Sequence, residues 1–511
     1  MVTLEDCKQA KEYNYKGLST DTKPLDCNVN SLFLELDTGI FYFFTGTEWK
    51  DIKEKITLGE TEPTGTIAIT NNGIFDVHDY AEANVDVPAI TPTGAISITE
   101  NGTYNIANYA EASVDVDATV NFNLPKFTRT APTGLSQGRN TLVATTVGDY
   151  ALFGGGYSGS YSSVVDAYNT SLTRSTPTEL SQARDRLAAT ALVPAGGQQS
   201  GYALFGGGES GSSVYYSVVD AYNTSLTRTT PTALSQARRL LAATTVGNYA
   251  LFGGGEIASS PYYSDIVDAY DTSLTRTTPT GLSQARKNLA ATTVGNYALF
   301  GGGYGSARSA IVDAYDTSLT RTTPTELSEA RYRLAAATVG DYALFGGGYS
   351  SFYSAVVDAY DTSLTRTTPT ELSEEKSQLA ATTVSPAGGQ QSGYALFGGG
   401  YFVGDGGRVI RRGKVDAYNT SLVKSIAPDL SQAREDLAAT TVGNYALFGG
   451  GHWNKVETVD AYTPAKYNIQ VFPGTKYSFN GSTEQTSSTW QTISMPGEVV
   501  GYIKVKDANI T

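Results

Sequence analysis

The segment Tyr-Ala-Leu-Phe-Gly-Gly-Gly occurs seven times, with glycine triplets at 154–156, 206–208, 253–255, 301–303, 346–348, 398–400 and 449–451. The steps between them are 52, 47, 48, 45, 52 and 51 residues. Each triplet is followed by Asp-Ala-Tyr, led by Asp166, Asp220, Asp268, Asp313, Asp358, Asp416 and Asp460, so seven units are counted twice over. Units of this length cannot bury their apolar faces alone and have to stack on their neighbours. Short β-patterned runs bounded by Gly, Thr and Pro make each unit a small sheet. The expected fold class is all-β, with the middle of the chain a ring of such sheets.

Within one unit four strands are expected, which is the blade of a β-propeller. Leu289–Val294 is the inner strand, Tyr297–Phe300 the second, Ile311–Tyr315 the third, and the outer one lies around Leu319 to Pro324. A glycine in a strand costs roughly 0.5–1 kcal/mol relative to alanine. Twenty-one of them would cost on the order of 10–20 kcal/mol, more than the net stability of most domains. They persist in every unit only if a side chain there would collide with a neighbour. The ring, about 121–463, ends after Val459-Asp460-Ala461-Tyr462 and lacks an outer strand in its last unit. An orphan copy of the missing segment, Phe127 to Ser136, precedes the first unit. The N-terminal strand is therefore expected to complete the last sheet and remove the open edges.

Small β modules are expected at both ends. In 1–58, Ser31–Asp37 and Ile40–Phe44 flank Thr38-Gly39 and read as a hairpin, with Trp49 on its apolar face. In 59–118 a 29-residue repeat carries Gly65–Gly73 and again Gly94–Gly102, each copy alternating around an Asn-Gly turn and expected as a hairpin spacer. The tail, 465–511, is expected as a separate small β domain. Cys7 and Cys27 both lie near the N-terminus, which excludes a disulfide framework and leaves their pairing open. A net charge of −14 without a basic block argues against nucleic acid. Met1–Lys16 is polar and no run of 18 apolar residues occurs, so neither signal-directed secretion nor membrane insertion is expected.

The units resemble Kelch repeats. The likeness lies in the double glycine after an apolar strand, in Tyr270-Asp271, Tyr315-Asp316 and Tyr360-Asp361, and in Arg238, Arg286 and Arg331 before the inner strand. Where that pattern carries a Trp after Tyr-Asp, this chain has Leu274, Leu319 and Leu364 nearby. The resemblance implies a seven-bladed Kelch-like β-propeller and says little about function. The flanks are similar to segments of virion proteins in phages and prophages of Gram-positive bacteria. The similar stretches are Gly17 to Pro24, Leu34 to Gly39 with the aromatic strand after it, and Ile98 to Tyr104. This implies a virion location, with the N-terminal modules attached to other virion proteins.

Enzymatic chemistry finds little support. The only histidines are His78 and His452, no cysteine lies in the ring, and no P-loop, HExxH or GxSxG run occurs. No catalytic residue, metal or cofactor is expected. The repeated aspartates read as structural partners of the repeated arginines. What varies between units is the segment joining the second and third strands: 157–163, 209–217, 256–265, 304–310, 349–355, 401–414 and 452–457. Alternation of strand direction puts all seven on one face. They carry Tyr157, Tyr161, Tyr215, Tyr216, Tyr262, Tyr263, Tyr304, Tyr349, Phe352, Tyr353, Tyr401, Phe402, Arg408, Arg411, Arg412, His452 and Trp453 among Ser and Gly. Tyrosine offers large amphipathic contact for little rotamer entropy, as binding loops require. Two near-identical insertions, 194–201 and 386–393, fall between first and second strands and are expected as inert turns on the opposite face.

The expected function is a non-enzymatic phage virion protein, of tail-fibre or receptor-binding type, presenting this face to a host-surface glycan or protein. The alternatives are a decoration component that contacts only other virion proteins, and a bacterial surface adhesin. A homo-oligomer is compatible with this, although no heptad run specifies one.

Overall fold

A computed structural model of the protein describes 126–192, 201–211, 214–384, 393–452, 456–471, 474–489, 491–496, 499–505 and 508–510. Before these it describes 3–6, 13–20, 22–23, 25, 32–35, 41–44, 47–51, 64–68, 75–77, 82–86, 95–98, 102–107, 111–114 and 118–124. Cys7, Cys27, His78 and Trp453, and nearly all of the insertions at 194–201 and 386–393, lie outside the described residues. The chain divides into two compact units: 125–466 with 496–498, and 1–124 with 467–495 and 499–511.

The larger unit consists of repeated four-stranded antiparallel sheets, seven among the described residues. In the fourth, Ala290–Val294 pairs with Tyr297–Gly301, which pairs with Val312–Tyr315, which pairs with Arg321–Thr322. The outer strand is only two residues long, shorter than the sequence pattern implied. The alternation Ala-Ala-Thr-Thr-Val buries every second residue of the inner strand, as expected for a strand with two unlike faces.

The apolar residues left over by each sheet are covered by the next. Phe205 and Tyr222 of the second sheet pack with Leu152 and Val165 of the first, and equivalent clusters join every consecutive pair. The seventh cluster joins the last sheet to the first, through Leu447, Val459, Phe153 and Tyr168. Leu274, Leu319 and Leu364 are partly buried against these clusters.

The glycine triplet is required at each of its three positions. A Cβ on Gly154 would come within 2.7 Å of the Phe205 ring in the next sheet. Gly155 and Gly156 hold φ of +68° and +105°, and Cβ atoms there would meet the Arg184 and Asn140 carbonyl oxygens at 2.7 Å. Close approach of a neighbouring ring at the first position and of neighbouring backbone at the other two is the cause.

The repeated aspartates are structural. Fully buried Asp313 accepts from Arg286 Nη2 at 2.7 Å and from the Ser283 amide at 2.9 Å. Arg286 Nη2 also donates to the Phe300 carbonyl at 3.0 Å. Six sheets use arginine in this way, and the sixth sheet substitutes Lys376, 3.4 Å from Asp416.

The last sheet takes its outer strand from upstream. Phe127–Thr130 pairs antiparallel with Val459–Pro464, Phe127 opposite Pro464 and Thr130 opposite Ala461. Phe127 is buried against Tyr394, ring centroids 4.8 Å apart. This is the pairing expected from the orphan copy.

The smaller unit departs from its expected hairpins and from a separate tail. The hairpin of Leu32–Glu35 and Phe41–Phe44 is present, and Trp49 packs against Phe33 and Phe44 at 5.8 and 5.3 Å. The 29-residue repeats, in contrast, pair in parallel: Thr64–Ala68 with Glu82–Asp86, and Ala95–Ile98 with Glu111–Val114. Parallel pairing needs a crossover rather than a tight turn, so the strands on either side of each Asn-Gly are not partners in the described ladders. The tail strands likewise join this unit. Val499–Val505 pairs antiparallel with Ala118–Leu124, and Ala508–Ile510 with Glu111–Val114.

Candidate binding face

The two residues between the repeated Arg or Lys and the following Leu differ in almost every sheet, although their flanks barely change. They are Asn140-Thr141, Asp185-Arg186, Arg239-Leu240, Lys287-Asn288, Tyr332-Arg333, Ser377-Gln378 and Glu435-Asp436. The second residue of each pair donates its backbone N–H to the carbonyl of its counterpart in the preceding sheet. Arg186 donates to Thr141, Leu240 to Arg186, Asn288 to Leu240, Arg333 to Asn288, Gln378 to Arg333 and Asp436 to Gln378. Thr141 then donates to Asp436, so the circuit returns to its start with seven bonds of 2.9–3.2 Å.

All seven residues hold φ between +49° and +56°. That conformation costs an L-residue roughly 1–2 kcal/mol and would cost glycine almost nothing. None of the seven is glycine. Side chains are kept here against the backbone's preference, and they surround a cavity of about 580 Å³ lined by residues from all seven sheets.

The first residue of each pair bridges to the start of the variable loop of its own sheet: Asn140 to Tyr157, Asp185 to Glu209, Arg239 to Glu256, Lys287 to Tyr304, Tyr332 to Tyr349, Ser377 to Tyr401 and Glu435 to His452. The starts of the seven variable loops therefore stand beside the residues that surround the central cavity. The sequence reading missed the central pair. The signal was available as the one variable column in an otherwise constant stretch of the repeat.

Ion-paired charged groups stand on this face in five of the seven sheets. Glu209 takes ion pairs from Arg186 and Arg239, and Glu256 takes them from Arg239 at 2.9 Å and Lys287 at 3.0 Å. Arg411 reaches Glu435 at 3.0 Å and the His452 ring at 3.1 Å. Arg412 pairs with Glu374 and lies over the Phe402 ring at 4.0 Å. Asp436 accepts from the Gln378 amide at the cavity wall. It keeps some surface open to the cavity, yet the packed protein around it raises its carboxyl above the ordinary range, an effect the Gln378 bond partly offsets.

Aromatic rings form an arc among them. Tyr263 meets Tyr304 at 6.2 Å, Tyr304 meets Tyr332 at 5.5 Å, and Tyr332 meets Tyr349 at 5.7 Å. Tyr349 meets Tyr353 at 5.0 Å, and Tyr353 meets Tyr401 and Phe402 at 5.4 and 6.3 Å. The contacts are edge-to-face or tilted, the geometry that aromatic quadrupoles favour. The arc crosses the third to sixth sheets and encloses a second cavity, of about 450 Å³, with Tyr332, Tyr349, Phe352, Tyr353 and Tyr401 in its wall. Burial, then its bond to Tyr401, pushes the Tyr353 phenol well up, so it stays neutral at physiological pH.

The structure thus brings Tyr263, Tyr304, Tyr349, Phe352, Tyr353, Tyr401 and Phe402 together and adds Tyr332. Others of the expected set stand apart or serve their own loops. Tyr157 and Tyr161 pair with each other at 5.4 Å. Tyr216 bonds Ser210 at 2.7 Å, and Tyr215 lies beneath Arg239 at 4.9 Å. Tyr262 is more than half exposed, and Arg408 is exposed.

No protein-family model matches the chain, and no curated protein matches it, so its function has to be read from the arrangement itself.

Proposed function

We propose that 127–463 form a seven-bladed propeller of Kelch type within a phage virion protein, and that its variable face binds a ligand on the host surface. The circuit of seven backbone bonds, the seven intersheet cores and the borrowed strand all support the propeller reading. The Kelch and virion assignments rest on the motifs quoted above.

One observation carries the binding role. Seven nearly identical sheets differ from one another chiefly in the central pairs and in the loops joining second and third strands, and those positions share a face. Drift alone would also spread differences over the outer turns, yet there Ser-Leu-Thr-Arg recurs almost unchanged. Exposed Tyr262 and Phe352, 57% and 78% accessible, give that face apolar contact area that the fold does not use.

The N-terminal modules would hold the protein to the particle. The test is binding of fluorescently labelled full-length protein to a panel of Gram-positive cells, compared with a variant carrying Tyr262→Ala, Phe352→Ala and Tyr353→Ala. The expected result is binding to a subset of strains and its loss in the variant. Binding that survives the three changes, or binding to purified virions alone, would replace this reading with that of a decoration component.

A further inference from the structure

The two cavities meet at two neighbouring residues. Tyr332 and Arg333 line both the central cavity and the aromatic one. Four cations stand at the central mouth: Arg186, Arg239, Lys287 and Arg333. The first three hold Glu209 or Glu256. Arg333, among the described residues, has no carboxylate within ion-pair distance. Its Nη1 donates to Gln378 Oε1 at 3.0 Å and its guanidinium lies 5.6 Å from the Tyr332 ring centre.

A second cation stands on the same arc. Exposed Arg308 lies over Tyr349 at 5.5 Å and likewise has no carboxylate partner among the described residues. The chain as a whole carries an excess of fourteen negative charges. Arg333 feels Asp436 across Gln378, yet two guanidinium groups with no direct carboxylate partner among the described residues, beside one aromatic cavity, run against its general charge balance.

On the reading that this face binds a host-surface ligand, we infer that the aromatic cavity is a subsite for an acidic glycan. A sugar ring would lie against Tyr349, Tyr353 and Tyr401, and Arg333 would take its carboxylate or phosphate. The chemistry matches part by part. The C–H face of a pyranose packs on aromatic rings, while its hydroxyls need the mixed polar rim that Ser351, Ser377 and the phenols supply. A guanidinium binds carboxylate or phosphate in a two-pronged geometry that an ammonium cannot reproduce. The volume of about 450 Å³ falls within the range of small-ligand sites, about 300–1,000 Å³. A neutral Tyr353 adds no charge that would repel the anion. An acidic peptide would satisfy the arginines equally but would not by itself bring the C–H face that packs on aromatic rings.

The test uses full-length protein on an array printed with uronate-, sialate- and phosphate-bearing glycans and with neutral glycans. The expected signals are confined to acidic glycans. They fall at least tenfold in Arg333→Gln and are lost in Phe352→Ala with Tyr353→Ala, while the unfolding midpoint of Arg333→Gln stays at the wild-type value. Arg333→Lys should recover little, because the two-pronged geometry is gone. Inorganic phosphate alone should compete only weakly, since it offers nothing to the rings. Which acidic class responds separates a carboxylate from a phosphate ligand. Signals confined to neutral glycans, signals indifferent to Arg333→Gln, or full competition by inorganic phosphate would each overturn the inference. If no glycan binds yet cells still do, the inference falls and the binding role stands with a protein ligand. If neither binds, both fall.

Discussion

The repeated Arg–Asp pair is the feature whose energetics can be tested most sharply, and the fourth sheet isolates it. Arg286 and Asp313 are both fully buried and 2.7 Å apart. Replacing Asp313 by Asn keeps an acceptor for the Ser283 amide but strands the guanidinium; breaking such a pair from one side costs about 3–5 kcal/mol. Replacing Arg286 by Leu strands the carboxylate instead, with Arg321 3.8 Å away as weak relief, and should cost a similar amount. The double variant removes both charges. Its remaining losses are the bond to the Phe300 carbonyl, worth about 1 kcal/mol, and whatever the smaller side chain leaves unfilled. It should therefore be less damaged than either single variant, with a coupling of at least about 2–3 kcal/mol. Urea unfolding of the full-length wild type, two singles and the double, followed by circular dichroism, closes the cycle, provided the denaturant slopes agree. A double variant whose loss equals the sum of the singles would refute the claim that the two charges hold each other in place. The sixth sheet already contains a weaker version, because Lys376 has one charged end where arginine has a fork.

Two further predictions concern the centre of the face and the strands beneath it. Burial raises the Asp436 carboxyl, so the folded state holds its proton more tightly than the unfolded state. That contribution is fully present below the ordinary aspartate value of 3.8 and is lost as pH rises through the raised one. Asp436→Asn should accordingly stabilise the protein at pH 7 and flatten its stability profile upward from about pH 4; an unchanged profile by thermal unfolding would count against a raised carboxyl. On the inner strands, a threonine at the fourth position donates in five sheets to the carbonyl of its counterpart in the preceding one: Thr293 to Thr245, Thr338 to Thr293, Thr383 to Thr338, Thr441 to Thr383 and Thr146 to Thr441. Ala191 occupies that place in the second sheet. Ala191→Thr should add a bond to Thr146 worth about 1 kcal/mol, read as a rise of about 1–2 °C in the unfolding midpoint.

Much of the larger unit was legible in the chain because its signals are local and repeated seven times. Tyr-Ala-Leu-Phe reads as a strand wherever it stands, and the orphan Phe127–Thr130 announced its pairing with the last sheet by being one outer strand too many. The aspartates were read as partners of the arginines because identical residues in every unit have an identical task. The site was legible only in part. The loops declared themselves by their tyrosines, whereas Thr141, Arg186 and their five counterparts look like incidental variation until backbone bonds gather them around one cavity. Tyr332 was passed over for the same reason: it belongs to a turn, not to a loop rich in tyrosine.

The sequence by itself determined the number of units, the strands in each, the need for glycine beside a neighbouring backbone, and the side of the sheet on which variation falls. These follow from periodicity and from the steric needs of single residues. Tertiary structure alone decided which rings meet, that Arg333 lines two cavities with no carboxylate at ion-pair distance among the described residues, and that Val499–Val505 pairs with Ala118–Leu124. Such pairings join segments hundreds of residues apart. Their choice depends on which edges the strands of the smaller unit leave open once paired, a property that no stretch of chain carries in isolation.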